Sequence, residues 1–168
     1  SRIRMADGEY CEAEKIVTTI PWNSYQHITG LPEDLYLAVK RLKHSSIETR
    51  YVGDTLQTDA QWLYIPDEQK PYHRILIRHN FCQGSRGFWL ETRKERVDMY
   101  SDEAQFCYMN EYAYPLNTID KPQIMQQLLA FTSERQVYGL GRWGEHCHYN
   151  SDVVVDLAMK LSEKICHE

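Results

Sequence analysis

The sequence predicts an α+β fold, a mostly antiparallel sheet of about five strands with flanking helices. Its 168 residues are 42% hydrophobic and 26% charged, a balance typical of a folded domain with a sizeable core. Between residues 47 and 114, short β-type runs alternate with turn residues. On either side of that region, apolar residues recur at helical spacing. Together these observations exclude collagen-like, disordered and coiled-coil classes.

The first predicted elements are a hairpin and a helix. Two β-type runs, residues 3–5 and 10–20, flank a turn signal at Asp7-Gly8. A helix is predicted to begin near Pro32, because acidic residues fill its first turn and apolar residues follow at helical spacing. Its apolar positions are Leu35, Ala38, Val39 and Leu42.

Five strands are predicted in the middle of the chain. They are Ile47–Val52, Ala60–Ile65, His73–His79, Gly87–Arg93 and Gln105–Tyr114. Strand alternation places a Tyr-rich set on one face of the last strand, namely Tyr108, Asn110, Tyr112 and Tyr114. It also places Arg74 and Arg78 on one face of the third strand. Two interpretations of these faces stay open. One is cross-strand pairing with solvated charges, and the other is a wall that binds an anionic or aromatic substrate.

The last part of the chain predicts a helix, a short strand, a glycine loop and a final helix. Asp120 precedes the first of these helices, in which Ile124 and Leu128 lie on one stripe. A strand is predicted at residues 135–138. The final helix begins after the capping run Asn150-Ser151-Asp152. Its apolar stripe is Val154, Leu157, Ala158, Leu161 and Ile165.

Charge and cysteine usage limit the classes of function. The net charge is −5 and the basic residues are scattered, which argues against a nucleic-acid partner. No apolar run approaches the roughly 18 residues of a membrane span, so no span is expected. The five cysteines have long, irregular spacings, which is typical of reduced thiols and predicts a cytoplasmic protein.

The most informative segment is residues 138–152, where Gly139, Gly141 and Gly144 form the pattern G-x-G-x-x-G after a strand. A dinucleotide-binding βαβ unit also needs a helix that starts within the glycine loop and a second strand, and neither is predicted here. Two interpretations stay open. Either the glycines let the backbone approach a ligand, with Arg142 as a phosphate-binding cation, or they form a tight turn beside a solvated arginine.

The same segment, YGLGRWGEHCHYNSD, together with the helix that follows, resembles the C-terminal flavin-contacting motif of the FAD-dependent amine-oxidase and protoporphyrinogen-oxidase superfamily. Within that superfamily the resemblance is to UDP-galactopyranose mutase-like proteins. The stretch KIVTTIPW, residues 15–22, resembles the point at which such chains leave the FAD domain and enter the substrate domain. The resemblance covers nearly the whole chain in element order, whereas specific motifs occur only at its two ends.

The resemblance implies that the chain is the C-terminal portion of a longer flavoprotein. Members of the superfamily bind the ADP half of FAD with an N-terminal G-x-G-x-x-G unit, which this sequence lacks. Residues 1–22 would be a strand hairpin returning from the FAD domain, residues 23–134 the substrate-binding domain, and residues 135–168 the strand, glycine loop and helix of the FAD domain. We expect the fragment alone to be inactive and free of FAD. The parent would be an FAD-dependent oxidoreductase or a mutase-like isomerase.

The resemblance also implies roles by position, in which Arg142 contacts the FAD pyrophosphate and the start of the last helix faces the flavin. The expected cofactor-binding residues are Gly141, Arg142, Trp143, Asn150, Ser151, Asp152 and Val153. The expected binders of a small-molecule substrate, such as a nucleotide sugar, are His148, Tyr149, Arg74, Arg78, Tyr108 and Tyr112. Mutases tend to carry Tyr and Asp where this chain has His148 and Asn150, so FAD binding is implied more strongly than mutase activity.

His146 and His148 alternate around Cys147, as metal ligands could, but no further ligands stand at a recognisable spacing and no metal is predicted. No catalytic residue is assigned. The alternative function is a non-catalytic α+β binding module, whose Tyr-rich sheet face binds a protein or carbohydrate partner.

Overall fold

The computed structural model describes residues 1–101 and 105–167. Its nine described strands are β1 Arg2–Arg4, β2 Tyr10–Glu12, β3 Ile16–Thr18, β4 His44–Val52, β5 Trp62–Tyr64, β6 Tyr72–Ile77, β7 Phe88–Arg93, β8 Cys107–Pro115 and β9 Val137–Gly139. The described α-helices are α1 Glu33–Lys40, α2 Lys121–Ser133, α3 Gly141–Gly144 and α4 Ser151–His167. Short 3-10 helices occupy Trp22–Ser24, Arg78–Asn80 and Lys94–Met99.

The chain forms two compact units. The first unit contains residues 1–44 together with the chain from Tyr114 onward, and the second contains residues 45–113. Strands β4 and β8 each cross a boundary between the units. The division into a hairpin at residues 1–22, a substrate-binding domain at residues 23–134 and an FAD-domain segment at residues 135–168 stays a prediction.

A five-stranded antiparallel sheet confirms the predicted α+β class. Its strand order is β5-β6-β7-β4-β8, and β7 pairs with β4 from Ile47↔Arg93 to Val52↔Phe88. In the second unit, one face of this sheet carries an apolar core of Ile75, Ile77, Phe88 and Leu90. Alternating apolar and polar residues along each strand explain why this face is buried.

Beyond the apolar core, the same face of the five-stranded sheet carries buried charged side chains. The Arg50 Nε donates to the Glu48 Oε1 at 3.1 Å, and both side chains are about nine-tenths buried. The Arg50 guanidinium also lies 3.7 Å from the centre of the Tyr100 ring. The Tyr100 hydroxyl oxygen and the Thr92 Oγ1 form a hydrogen bond at 2.8 Å. Each buried charge thus has a partner, as the cost of burying an isolated ion demands.

Helices α1 and α2 enclose the core of the first unit. Both helices bury one apolar stripe, which is the arrangement that their residue spacing predicts. The buried core residues are Trp22, Leu35, Val39, Leu42, Ile124, Met125 and Leu128. The Trp22 indole also donates to the Gly144 carbonyl oxygen at 2.7 Å, which ties this core to the glycine segment.

The predicted second arm of the N-terminal hairpin, residues 10–20, is wrong in its extent. The hairpin consists of β1 and β2 alone and ends at Glu12. Strand β3 instead pairs in parallel with β9, with Ile16 opposite Val137 and Thr18 opposite Gly139. A parallel partner lies far along the chain because it needs a crossover connection, so local alternation could not reveal it.

Helix α4 is amphipathic, yet none of its described residues is buried. The predicted stripe residues are only half-buried, and Val153, Val155 and Met159 are exposed. No helix in residues 1–101 or 105–167 has the length and apolar character needed to cross a bilayer.

Candidate functional site

The glycine segment connects β9 to α4 through the single turn α3. Backbone crowding explains its glycines. A Cβ atom on Gly144 would lie 2.9 Å from the Gly139 carbonyl carbon and closer still to the Thr18 carbonyl oxygen. Gly141 has a φ of +74°, which favours glycine for backbone reasons. Gly139 and Gly144 therefore allow β9, α3 and β3 to pack together, and the chain's own backbone fills the space beside them.

Arg142 is half-buried at the centre of the site. Its guanidinium lies over the Tyr114 ring, 5.1 Å from the ring centre. One terminal nitrogen donates to the Tyr149 carbonyl oxygen at 3.0 Å. These contacts hold the guanidinium in place while leaving it N–H groups for an anion, since arginine carries five donors in a planar fork.

His148 packs against the same tyrosine. Its ring meets the Tyr114 ring edge to face, with centres 4.9 Å apart and planes at 89°. His148 is exposed, so its ring nitrogens can reach a ligand. We call Arg142, Tyr114, His148 and Tyr149 the Arg142 cluster. It combines a fixed cation, a titratable ring and two phenol groups.

His146 anchors the loop that carries the cluster. Its side chain is 1% exposed, and its Nε2 donates to the Lys43 carbonyl oxygen at 3.0 Å, an oxygen that can only accept. Its Nδ1 is buried without a hydrogen-bond partner among the described residues. Burial, more than any neighbour, lowers the pKa of His146. The ring of Trp143 stands edge-on to it, with centres 5.9 Å apart.

Two further ionisable groups shape the loop. The Glu145 carboxylate accepts the Gly141 N–H at 3.1 Å, and burial raises the pKa of Glu145. The Tyr149 hydroxyl forms a hydrogen bond with Cys147, which together with burial raises the pKa of Tyr149 to about 12. Tyr149 is therefore a neutral donor at physiological pH.

The first turn of α4 follows this loop directly. The Asn150 carbonyl accepts the Val154 N–H at 3.2 Å, and residues 150–153 are all exposed. The remaining N–H groups of this turn give a partial positive charge, which favours an anionic group nearby. Asp152 already lies in this turn. The predicted cofactor residues Asn150, Ser151, Asp152 and Val153 thus form one accessible helix start.

The predicted substrate residues of the second unit are placed differently. Arg74 lies within β6, and its guanidinium pairs with Glu91 at 2.6 Å. Arg78 is exposed and begins a 3-10 helix, so the prediction that it shares a strand face with Arg74 is wrong. Strand β6 ends one residue earlier, at Ile77. Tyr108 is exposed on β8, and Tyr112 is half-buried on the same strand.

Tyr114 belongs to the Tyr-rich face that alternation predicts on the last strand, and the structure adds its contacts with Arg142 and His148. His146 is also central to the site. No local pattern predicts its placement, because its left-handed φ of 50° and its long-range bond to Lys43 depend on the folded loop. Among the described residues, no group of three or more His, Cys, Asp or Glu could hold a metal ion.

The fold is an α+β fold with two units. One unit contains most of the five-stranded sheet, and the other contains the parallel β3–β9 pair, Arg142 and the start of α4. The crystal structure of a reduced UDP-galactopyranose mutase is similar to this chain, with a TM-score of 0.65 and 19% sequence identity. The likeness covers 85% of this chain and 38% of the mutase chain. At 19% sequence identity, this structural similarity shows the fold alone. No protein-family model matches the chain, and no curated protein sequence does.

Proposed function

We propose that this chain supplies the substrate domain and part of the FAD site of a flavin-dependent oxidoreductase or a UDP-galactopyranose mutase-like protein. The observation that carries the proposal is the Arg142 cluster directly before the exposed start of α4. This arrangement occurs on the segment whose sequence resembles the flavin-contacting motif. The similarity in fold to part of a mutase supports the same origin.

The residues present fit FAD in their chemistry. The half-buried guanidinium of Arg142 suits a pyrophosphate, because a fixed fork of donors makes charge-assisted hydrogen bonds. The N–H groups at the start of α4 suit the negative charge that a reduced flavin carries near N1 and the C2 carbonyl. When bound, FAD would supply the electron-transfer or covalent chemistry.

The remaining members of the cluster would bind the substrate. His148 presents an exposed ring that can donate a hydrogen bond to an anionic or hydroxyl group. Tyr149 stays protonated because of its raised pKa, so its phenol can only act as a neutral group. A nucleotide sugar diphosphate offers anionic oxygens that His148 and Tyr149 can contact.

Two residues argue for weak mutase activity. Compared with the Tyr and Asp expected of mutases, His148 places its donor at a different position, and Asn150 removes a full negative charge. We expect the longer parent protein, reduced with dithionite, to convert UDP-galactofuranose to the pyranose poorly or not at all. Chromatographic separation of the products measures this. Robust conversion would show that these two residues do not limit the reaction.

The FAD assignment is tested by Arg142→Ala in the longer parent protein. Removing a charge-assisted phosphate contact costs about 1.5–3 kcal/mol, which corresponds to roughly 10- to 150-fold weaker FAD retention. Arg41→Ala is the matched control, because Arg41 is exposed in the same unit. Flavin content after dialysis is the measurement. Equal retention by the Arg142 and Arg41 variants would mean that Arg142 does not contact the cofactor.

A binding module without FAD is the second candidate. Strand β8 exposes Tyr108 by 63% and Met109 by 38%, and Phe106 just before it by 55%. Such a surface suits a carbohydrate or protein partner. A parent that purifies without flavin and does not bind added FAD would favour this candidate.

The compartment that we propose is the cytoplasm. All five cysteines lie among the described residues, and each is a free thiol. Free thiols are typical of reducing compartments.

A further inference from the structure

Cys147 differs from the other four cysteines of the chain. It is half-buried, whereas Cys11, Cys82, Cys107 and Cys166 are exposed. It also lies on the loop between α3 and α4, where its N–H donates to the Arg142 carbonyl oxygen at 2.9 Å. Its backbone is therefore fixed beside the Arg142 cluster.

A lysine amine faces this thiol. The Lys121 Nζ lies 4.0 Å from the Cys147 Sγ, at the outer limit of a hydrogen bond to sulfur. The same amine donates to the Asn117 Oδ1 at 2.6 Å and to the His146 carbonyl oxygen at 3.2 Å. These two acceptors hold the end of a side chain that would otherwise be free to rotate. The thiol and the amine thus form a defined pair of nucleophiles in contact.

Peroxides oxidise thiolates to sulfenic acids, and a sulfenic acid condenses with a nucleophile that lies close to it. A sulfenic acid formed at Cys147 would have the Lys121 amine within reach, because the Lys121 Nζ lies 4.0 Å from the Cys147 Sγ. The Asn117 and His146 oxygens hold the amine in that place.

We propose that hydrogen peroxide joins Cys147 to Lys121 through a sulfur–nitrogen bond. In the first step the thiolate attacks peroxide, an S–O bond forms and the O–O bond breaks. The sulfur is oxidised to a sulfenic acid, and the departing hydroxide becomes water. In the second step the amine, after losing a proton to solvent, attacks the sulfur. The S–N bond forms, the S–O bond breaks, and the leaving hydroxide takes the second amine proton as water.

The bond would have a local structural effect. Lys121 is the first residue of α2, and Cys147 lies immediately before His148. The crosslink would therefore fasten the loop that carries His148 to the helix that forms the core of the first unit. It would also remove the positive charge of Lys121 and the thiol contact of Tyr149. Oxidation of Cys147 would therefore change the position of the loop that carries His148 and Tyr149, two members of the Arg142 cluster.

The test treats the full chain with hydrogen peroxide and maps chymotryptic peptides by mass spectrometry. We expect a crosslinked peptide pair containing Lys121 and Cys147, lighter than the sum of its parts by about 2 Da because two hydrogens are lost. Dithiothreitol should restore the separate peptides. In the same sample, crosslinks from lysine to Cys166 should be at least about tenfold less abundant, because the described hydrogen bonds hold a lysine amine at the sulfur of Cys147 and not at that of Cys166.

Two variants complete the test. Lys121→Arg should abolish the crosslink and let Cys147 proceed to the sulfinic acid. Lys160→Arg, at an exposed lysine paired with Asp156, should leave the crosslink unchanged. The proposal is overturned if the wild-type chain gives only sulfinic acid at Cys147, or if Cys166 crosslinks as abundantly. This wild-type comparison decides the matter even if Lys121→Arg fails to fold.

Discussion

Gly144→Ala is the perturbation that most directly tests how the site is built. Gly144 lies in the interior of the first unit, where its carbonyl accepts the Trp22 indole N–H at 2.7 Å. A Cβ atom at this position would lie 2.9 Å from the Gly139 carbonyl carbon, and it would also crowd the Thr18 carbonyl oxygen. Both neighbours are backbone atoms of paired strands, so no side-chain rotation can relieve the overlap.

The expected cost follows from these distances. Carbon atoms pack comfortably at about 3.5–4.0 Å, so α3 must move by roughly 0.6–1 Å away from β9. Overpacking of this kind costs about 1–3 kcal/mol. The same shift strains the buried Trp22 hydrogen bond, whose loss costs about 1–3 kcal/mol. We therefore expect a total of about 2–6 kcal/mol, a large share of the stability of an ordinary domain.

Urea denaturation followed by tryptophan fluorescence measures this cost. Gly53→Ala is the control, because a Cβ there would meet only Tyr51 at an ordinary 3.8 Å, and its expected effect is within about 0.5 kcal/mol. Equal stability of the Gly144 and Gly53 variants would refute the account of the glycine segment as a backbone packing contact.

Two further predictions concern buried ionisable groups. Because burial lowers the pKa of His146 in the folded chain, its contribution to stability is complete above its ordinary pKa of 6.5 and is lost as the pH falls through the folded value. His146→Gln should flatten the pH dependence of urea midpoints below 6.5, and an unchanged slope would contradict a buried neutral imidazole. Glu48→Gln should destabilise the second unit by about 3–5 kcal/mol, since it removes the carboxylate that pairs with the buried Arg50 guanidinium. A loss below about 1 kcal/mol in thermal unfolding would show that Arg50 regains solvent.

Local patterns in the sequence were sufficient for most of the fold. The helical spacing of apolar residues predicted α1, α2 and α4, although the Asp120 side chain expected to cap α2 makes no capping hydrogen bond. Alternation with turn residues predicted the five strands of the large sheet. The observed strand boundaries differ from the predicted ones where pairing with a neighbouring strand determines the end of a strand. The strand predicted at residues 60–65 contracts to β5, because only three of its residues pair with β6.

Long-range contacts account for what the sequence could not show. The β3–β9 pair joins residues near opposite ends of the chain, and no local signal encodes that register. The same limit applies to the site. The position of Arg142 was accessible through a motif, but its contact with Tyr114 depends on the fold of the first unit. The roles of Gly139 and Gly144 likewise became clear only from the atoms that surround them.

The central claim is that this chain completes an FAD site in a longer protein, and the flavin content of that protein as purified is its most direct test. The parent should be yellow, with stoichiometric flavin released on denaturation, whereas the chain of 168 residues alone should carry none. A parent that contains no flavin and shows no spectral change on titration with FAD would contradict the account.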